Sequence, residues 1–253
     1  MTLVAPGQAS RRWRPWGAIR RHKLAAFGAG LVILVALSAI LAPVLSPHDP
    51  LAQDVLLRLA PPSSAFPLGN DDFGRDILSR ILWGGRVSLY VSTSAVLIAV
   101  VLGGALGIVA GYVGGVFDRL AMAAMDVLLS FPALVMGLLV MAMLGPTTGN
   151  LILAISLTAI APFARIARAP TLAVKERDFV EAGRALGFSN LRIMLVHILP
   201  NMVDEVLVMA SLWLATAIRT EASLSFIGLG VRPPTPTWGG MIREGFDNIL
   251  DAP

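Results

Sequence analysis

Five apolar stretches punctuate the chain, at residues 24–45, 87–117, 127–144, 151–164 and 206–218. A hydrocarbon core about 30 Å thick needs roughly 20 apolar residues per helix, fewer where flanking charges snorkel to the interface. The first two stretches meet that length. The third contains Pro132, the fourth is short and carries Pro162, and the fifth is bounded by Asp204, Glu205 and Arg219. The pattern predicts an all-α polytopic membrane protein with five transmembrane helices present.

The polar segments between these stretches set the topology. Residues 1–23 hold Arg11, Arg12, Arg14, Arg20, Arg21 and Lys23, and the apolar run after them exceeds the roughly 7–15 residues of a signal peptide. Residues 24–45 therefore read as an uncleaved first span, with the basic N-terminal segment in the cytoplasm. Residues 46–86 read as an external loop and an interfacial helix. The proline-rich part cannot sit in lipid, where every backbone group needs an internal partner. Ile77, Leu78, Ile81 and Leu82 then repeat at helical spacing. Residues 87–253 form the core domain, with a polar tail from residue 221 expected outside.

Within the second span, Gly103, Gly107 and Gly111 recur every four residues, a spacing that lets two helix backbones approach closely in lipid. On that reading Gly107→Leu is damaging and Gly107→Ala far milder. Asp126, near the inner end of the third stretch, is a candidate buried acid. Between the fourth and fifth stretches lies a basic insert with Arg165, Arg168, Lys175, Arg177, Arg184 and Arg192. Its residues 175–185 predict a helix, with Arg177 and Glu181 spaced to pair. Gly187 is placed for a left-handed helix end and Ser189 for capping a second helix. Pro200 leads into the next span. Ala182 and Gly183 beside a protruding Phe188 suit a groove on a partner protein.

Composition sharpens the class. Hydrophobic residues make up 56% and charged residues 14%, against about 25% charged in soluble domains. The net charge of +4 comes from basic residues that flank spans, the signature of topology rather than of nucleic-acid binding. Cysteine is absent, which removes disulfides and thiol chemistry. His22, His48 and His197 lie in separate loops, so no metal site is expected. No phosphate-binding loop of the Gly-x-x-x-x-Gly-Lys-Ser/Thr type occurs, and no catalytic set converges. Neither enzyme activity nor a cofactor is expected. A self-sufficient channel or ion-coupled carrier remains the alternative. It would want buried charges in several spans and an inverted repeat, and neither is found.

Three blocks carry a family resemblance. The first runs Phe66-Pro67-Leu68-Gly69-Asn70-Asp71-Asp72-Phe73-Gly74-Arg75-Asp76 and on to Arg80. The second runs Glu181-Ala182-Gly183-Arg184-Ala185-Leu186-Gly187, then nine residues, then His197-Ile198-Leu199-Pro200-Asn201. The third is Glu221-Ala222-Ser223-Leu224-Ser225-Phe226-Ile227-Gly228-Leu229-Gly230, with a proline tail to Trp238-Gly239. The chain resembles the second permease subunit of the dipeptide, oligopeptide and nickel ABC importers.

That resemblance implies a type I ABC importer permease in the bacterial inner membrane, paired with a second homologous permease. Two cytoplasmic ATPases and an extracytoplasmic binding protein complete the assembly. It implies that Glu181, Ala182, Gly183, Gly187, Phe188 and Pro200 belong to the ATPase-coupling loop. It also implies that Arg75, Asp76 and Arg80 brace an external gate or a docking surface, although charges at an interface are ordinarily solvated. The family has six spans, and the sequence as read predicts that the final one is missing.

Overall fold

The computed structural model describes residues 23–250; the N-terminal basic segment, apart from Lys23, lies outside them. Helix α1 (Lys23–Ile40) is apolar on every side and mostly exposed, as suits a span facing lipid. It leads through a short helical turn at Ala42–Leu45 into an irregular loop.

Helix α2 (Ile77–Val113) runs unbroken for 37 residues. The separate interfacial helix expected from the sequence is its first turns. Asp76 caps it by accepting from the Ser79 amide at 3.1 Å, and nothing downstream breaks it. Gly84 and Gly85, which could have done so, are instead covered by the backbone of Thr237 and the ring of Trp238. At 1.5 Å per residue α2 is about 55 Å long, well beyond a hydrocarbon core.

Gly114 and Gly115, with φ of +70° and +63°, turn the chain into α3 (Gly115–Ser130) and α4 (Ala133–Leu144). The expected straight third span is in fact these two helices, bent by 89° at Phe131–Pro132. The cause is local. Proline pushes the preceding residue out of the helical region, and Phe131 sits at φ −88°, ψ 129°.

Helix α5 (Thr148–Val174) passes through Pro162 and Pro170 without ending, so the fourth span extends ten residues past its expected limit and carries Arg165 and Arg168. Helix α6 (Asp178–Ala185) follows, then a turn at Asn190–Arg192 and a π-helical turn at Ile193–Ile198. These feed α7 (Leu199–Phe226), with Pro200 in its first turn, where a missing amide costs nothing. Helix α8 (Trp238–Asp247) closes the described chain.

Among the described residues four helical stretches, α1, α2, α5 and the run through α7, are long and apolar enough to cross a membrane. There are five if α3 and α4 together make one span. The most extensive helix contact joins α2 to α5. One core packs Val91, Ala95 and Ala99 of α2 against Leu151, Ile155 and Phe163 of α5, with Met141, Ala217 and Leu224 from α4 and α7. A second joins Val180 of α6 to Ile108, Ala167, Ile193, Ile198 and Met202.

Candidate coupling loop, ion cluster and helix contact

The α6 hairpin is amphipathic over two turns. Val180 and Gly183 are buried, while Glu181, Ala182, Arg184, Ala185 and Leu186 are exposed, Leu186 by 75%. Gly187 ends the helix at φ +77°, with nothing within 4 Å of where a Cβ would sit. Its amide donates to the Arg184 carbonyl at 2.9 Å and that of Phe188 to the Gly183 carbonyl at 3.0 Å, a helix-terminating arrangement that needs a left-handed residue. Ser189 then accepts from the Arg192 amide at 3.4 Å.

Two expectations for this loop change. Phe188 does not protrude. It is half-buried, stacked on His197 at 5.9 Å and 7°, with the Arg192 guanidinium 4.1 Å above its ring. A Cβ on Gly183 would lie 3.2 Å from Phe188 Cδ2, so the small residue makes room for that ring. Leu186 is the more exposed apolar side chain at this corner. Arg177 also does not pair with Glu181, because it stands outside α6 at the N-cap in an extended conformation.

At the other end of α2, Arg75, Asp76 and Arg80 are 2% exposed each and so cannot themselves form a contact surface. Arg75 Nε donates to Asp71 at 2.6 Å. Arg80 Nε lies 3.1 Å from the same carboxylate, and its Nη2 donates to both oxygens of Glu244 on α8, at 3.0 and 2.7 Å. Asp76 accepts from the Ser79 hydroxyl at 2.5 Å and faces His48 Nδ1 at 3.4 Å. Buried charges persist only when paired and hydrogen-bonded, and this cluster ties the loop, α2 and α8 together.

Beside it is a cavity of about 630 Å³, lined by Asp71, Asp72, Arg80 and Glu244 among others. Burial and then the charge of Asp71 push the Asp72 carboxyl above its ordinary range, against the pull of Arg75. Oxygens of Asp71, Asp72 and Glu244 lie within 4.8 Å of one another, and each carboxylate is already paired with Arg75 or Arg80.

The three spaced glycines of α2 face α5. A Cβ on Gly103 would run into the Ile160 carbonyl oxygen and lie 3.0 Å from Phe163 Cβ. One on Gly107 would run into the Ala164 carbonyl oxygen and lie 2.8 Å from Ala167 Cβ. One on Gly111 would lie 3.0 Å from Thr171 Cγ2 and 3.1 Å from the Arg168 oxygen.

Several polar groups escaped the sequence reading. Glu244 belongs to the polar tail that the sequence places outside, yet it pairs with the buried Arg80. Glu221 is fully buried inside α7, where Ser225 Oγ donates to it at 2.7 Å; the tail therefore begins later than residue 221. Asp126 is not buried. Its side chain is 59% exposed and paired with Arg165. Asp118, passed over, is buried and holds Arg168 through two bonds of 2.5 and 2.6 Å. The two Asp residues eight apart on α3 and the Arg residues three apart on α5 share faces at helical spacing, a signal that was available.

A bundle of long apolar helices with a capped helical hairpin at one end defines a multi-pass membrane protein. Residues 103–250 match the family described as binding-protein-dependent transport system inner membrane component. Residues 10–62 match the N-terminal TM domain of oligopeptide transport permease C. The chain is 40% identical to the glutathione transport system permease protein GsiD of Escherichia coli, over all of this chain and 84% of that protein. It is 37% identical to the dipeptide transport system permease protein DppC of Alkalihalophilus pseudofirmus, over all of this chain and 81% of that one. DppC of Haemophilus influenzae is also 37% identical, over 90% of this chain and 80% of its own length. The chain belongs to the binding-protein-dependent transport system inner membrane component family, and is a permease subunit of an ABC importer.

Proposed function

We propose that this permease imports short peptides, with the N-terminus and the α6 hairpin on the cytoplasmic side. Two ATPase subunits, a second homologous permease and an extracytoplasmic binding protein complete the machine. The observation that carries the reading is the α6 hairpin. It offers a partner an exposed face with Glu181, Ala182 and Leu186, while Val180 anchors its other face in the same core as α5 and α7. A push on the hairpin is therefore a push on two long helices. Gly103, Gly107 and Gly111 serve in this scheme as the close contact that makes α2 and α5 move as one body. Arg75, Asp76 and Arg80 brace the opposite end, presenting the loop and α8 to the binding protein without touching it themselves.

The peptide substrate class rests on the relatives named for dipeptide and glutathione transport. The test is uptake of a labelled dipeptide and of labelled glutathione into proteoliposomes holding the assembled complex, with ATP inside the partner-accessible compartment. ATP-dependent uptake of either supports the reading. Uptake of neither, in complexes that hydrolyse ATP when the binding protein is added, would overturn the substrate class. The absence of crosslinking between Glu181→Cys and an ATPase subunit would overturn the docking role of α6.

A further inference from the structure

Helix α3 touches the bundle along a narrow strip. Met125 packs on Ala161 and Ala164 of α5, with Met122 and Leu128 beside it. Leu106 of α2 and Ile160 of α5 join the same cluster, and two ion pairs add to it. Asp118, in the first turn of α3, holds Arg168 of α5 through both carboxylate oxygens, at 2.5 Å to Nε and 2.6 Å to Nη2. Two turns on, Asp126 pairs with Arg165. The inner pair is the stronger constraint. The Asp118 side chain is 12% exposed and that of Arg168 33%, against 59% and 52% for Asp126 and Arg165. A bidentate guanidinium–carboxylate contact fixes orientation as well as distance, whereas an exposed pair is worth little. Lys175 completes the arrangement by donating to the Gly111 carbonyl at 2.9 Å, at the end of α2.

The position of the pair gives it a role beyond stability. Arg168 lies ten residues before α6, on the continuous helix that runs to Val174. Asp118 begins the segment that bends at Phe131–Pro132 and continues as α4. Helix α4 reaches the far part of the bundle, where a Cβ on Gly137 would lie 2.9 Å from Leu224 of α7. Displacement of α5 can thus be passed to α3 through Asp118–Arg168, and carried round the bend to α4 and the opposite end. We propose that Asp118 and Arg168 are positioning residues that transmit ATPase-driven movement of α5 to the bent α3–α4 segment. This rests on the docking of the ATPases at α6.

The test uses the assembled complex in proteoliposomes. The chain has no native cysteine, so spin labels can be placed at Leu120→Cys on α3 and Leu34→Cys on α1, both exposed. The expected result is a label-to-label distance that changes when ATP and vanadate trap the ATPases in the wild-type background. That change is lost in Asp118→Asn and in Arg168→Gln, and restored when the charges are exchanged in Asp118→Arg with Arg168→Asp. ATP hydrolysed per labelled dipeptide imported should rise at least about fivefold in the single variants, the lower end of an ordinary coupling free energy, and fall back in the exchanged pair. A purely structural role would lower hydrolysis and import together and leave that ratio unmoved.

A wild-type distance that does not change, a change that survives in both single variants, or an exchanged pair that assembles without regaining it would each overturn the proposal. Failure of the ATPases to copurify with the wild-type chain would overturn the docking reading, and this one with it.

Discussion

Gly107→Ala adds one methyl group, yet the structure makes it a severe test of the α2–α5 contact. The new Cβ would run into the Ala164 carbonyl oxygen, with Ala167 Cβ 2.8 Å away. A backbone carbonyl in the middle of a helix cannot rotate aside, so the two helices must separate. Overpacking of a filled interface typically costs about 1–3 kcal/mol, while replacing a helical glycine by alanine returns up to about 1 kcal/mol of propensity. The expected net loss is about 1 kcal/mol and at most about 2 kcal/mol. Gly104, the next residue but two toward the N-terminus, is the control. Nothing lies within 4 Å of its Cβ position, so Gly104→Ala keeps the propensity gain without the clash. Gly111→Ala, facing mainly a threonine side chain, should fall between them. Unfolding of the purified chain, followed by circular dichroism as SDS is titrated into mild-detergent micelles, would rank the three. Equal midpoints for the 104 and 107 variants would refute the close-contact argument. The expectation from spacing alone, that alanine at 107 is mild, is set aside by the carbonyl contact.

Gly187→Val forces a β-branched residue into φ +77° at roughly 1–3 kcal/mol of local strain; the protein should insert normally and lose ATP-dependent uptake, which normal uptake at equal expression would contradict. Arg80→Leu leaves Glu244 without its main partner and should lower stability by on the order of 3 kcal/mol. Adding Glu244→Leu should recover part of that in the same SDS titration, and no recovery would mean that the two side chains are not energetically coupled. Glu221→Gln keeps an acceptor for the Ser225 hydroxyl and should cost under about 1 kcal/mol, whereas Glu221→Ala opens a cavity costing about 2–3 kcal/mol; equal losses would show that the carboxyl group itself is required.

Much of the fold was legible because a membrane helix writes its length and its breakers into the sequence. The runs 24–45 and 87–117 are spans whose limits shift only by turns. What could not be read was where neighbouring segments override a local signal. Gly84-Gly85 looks like a place for a helix to end, and ends nothing, because Thr237 and Trp238 come back across more than 150 residues to cover it, with Trp238 Nε1 donating to the Ile81 carbonyl at 3.1 Å. Pro162 and Pro170 look like stops, and α5 passes both. Pro132, by contrast, does break its helix, with Phe131 in an extended conformation at φ −88°, ψ 129°. The same residue type gives opposite outcomes in the two helices.

The candidate sites divide along the same line. Gly187 and Ser189 were readable because each answers a local demand: a left-handed end and a cap. The buried charges were not. Arg75, Asp76 and Arg80 sit in a segment whose composition is that of an exposed loop, and the folded loop together with the return of α8 removes them from water. The compensation is supplied by Glu244, 164 residues from Arg80, and a pairing of that separation leaves no periodicity to detect. Asp118 with Arg168 is an intermediate case, 50 residues apart. Its spacing on each helix was visible, but the facing of the two helices was not. This has a consequence for how the permease works. The contacts that follow from local sequence shape the hairpin, whereas the long-range ion pairs tie together helices far apart in the chain. On the proposed docking at α6, movement at the hairpin would reach α3 through Asp118–Arg168, so substitutions at either residue should disturb coupling while leaving the hairpin itself intact.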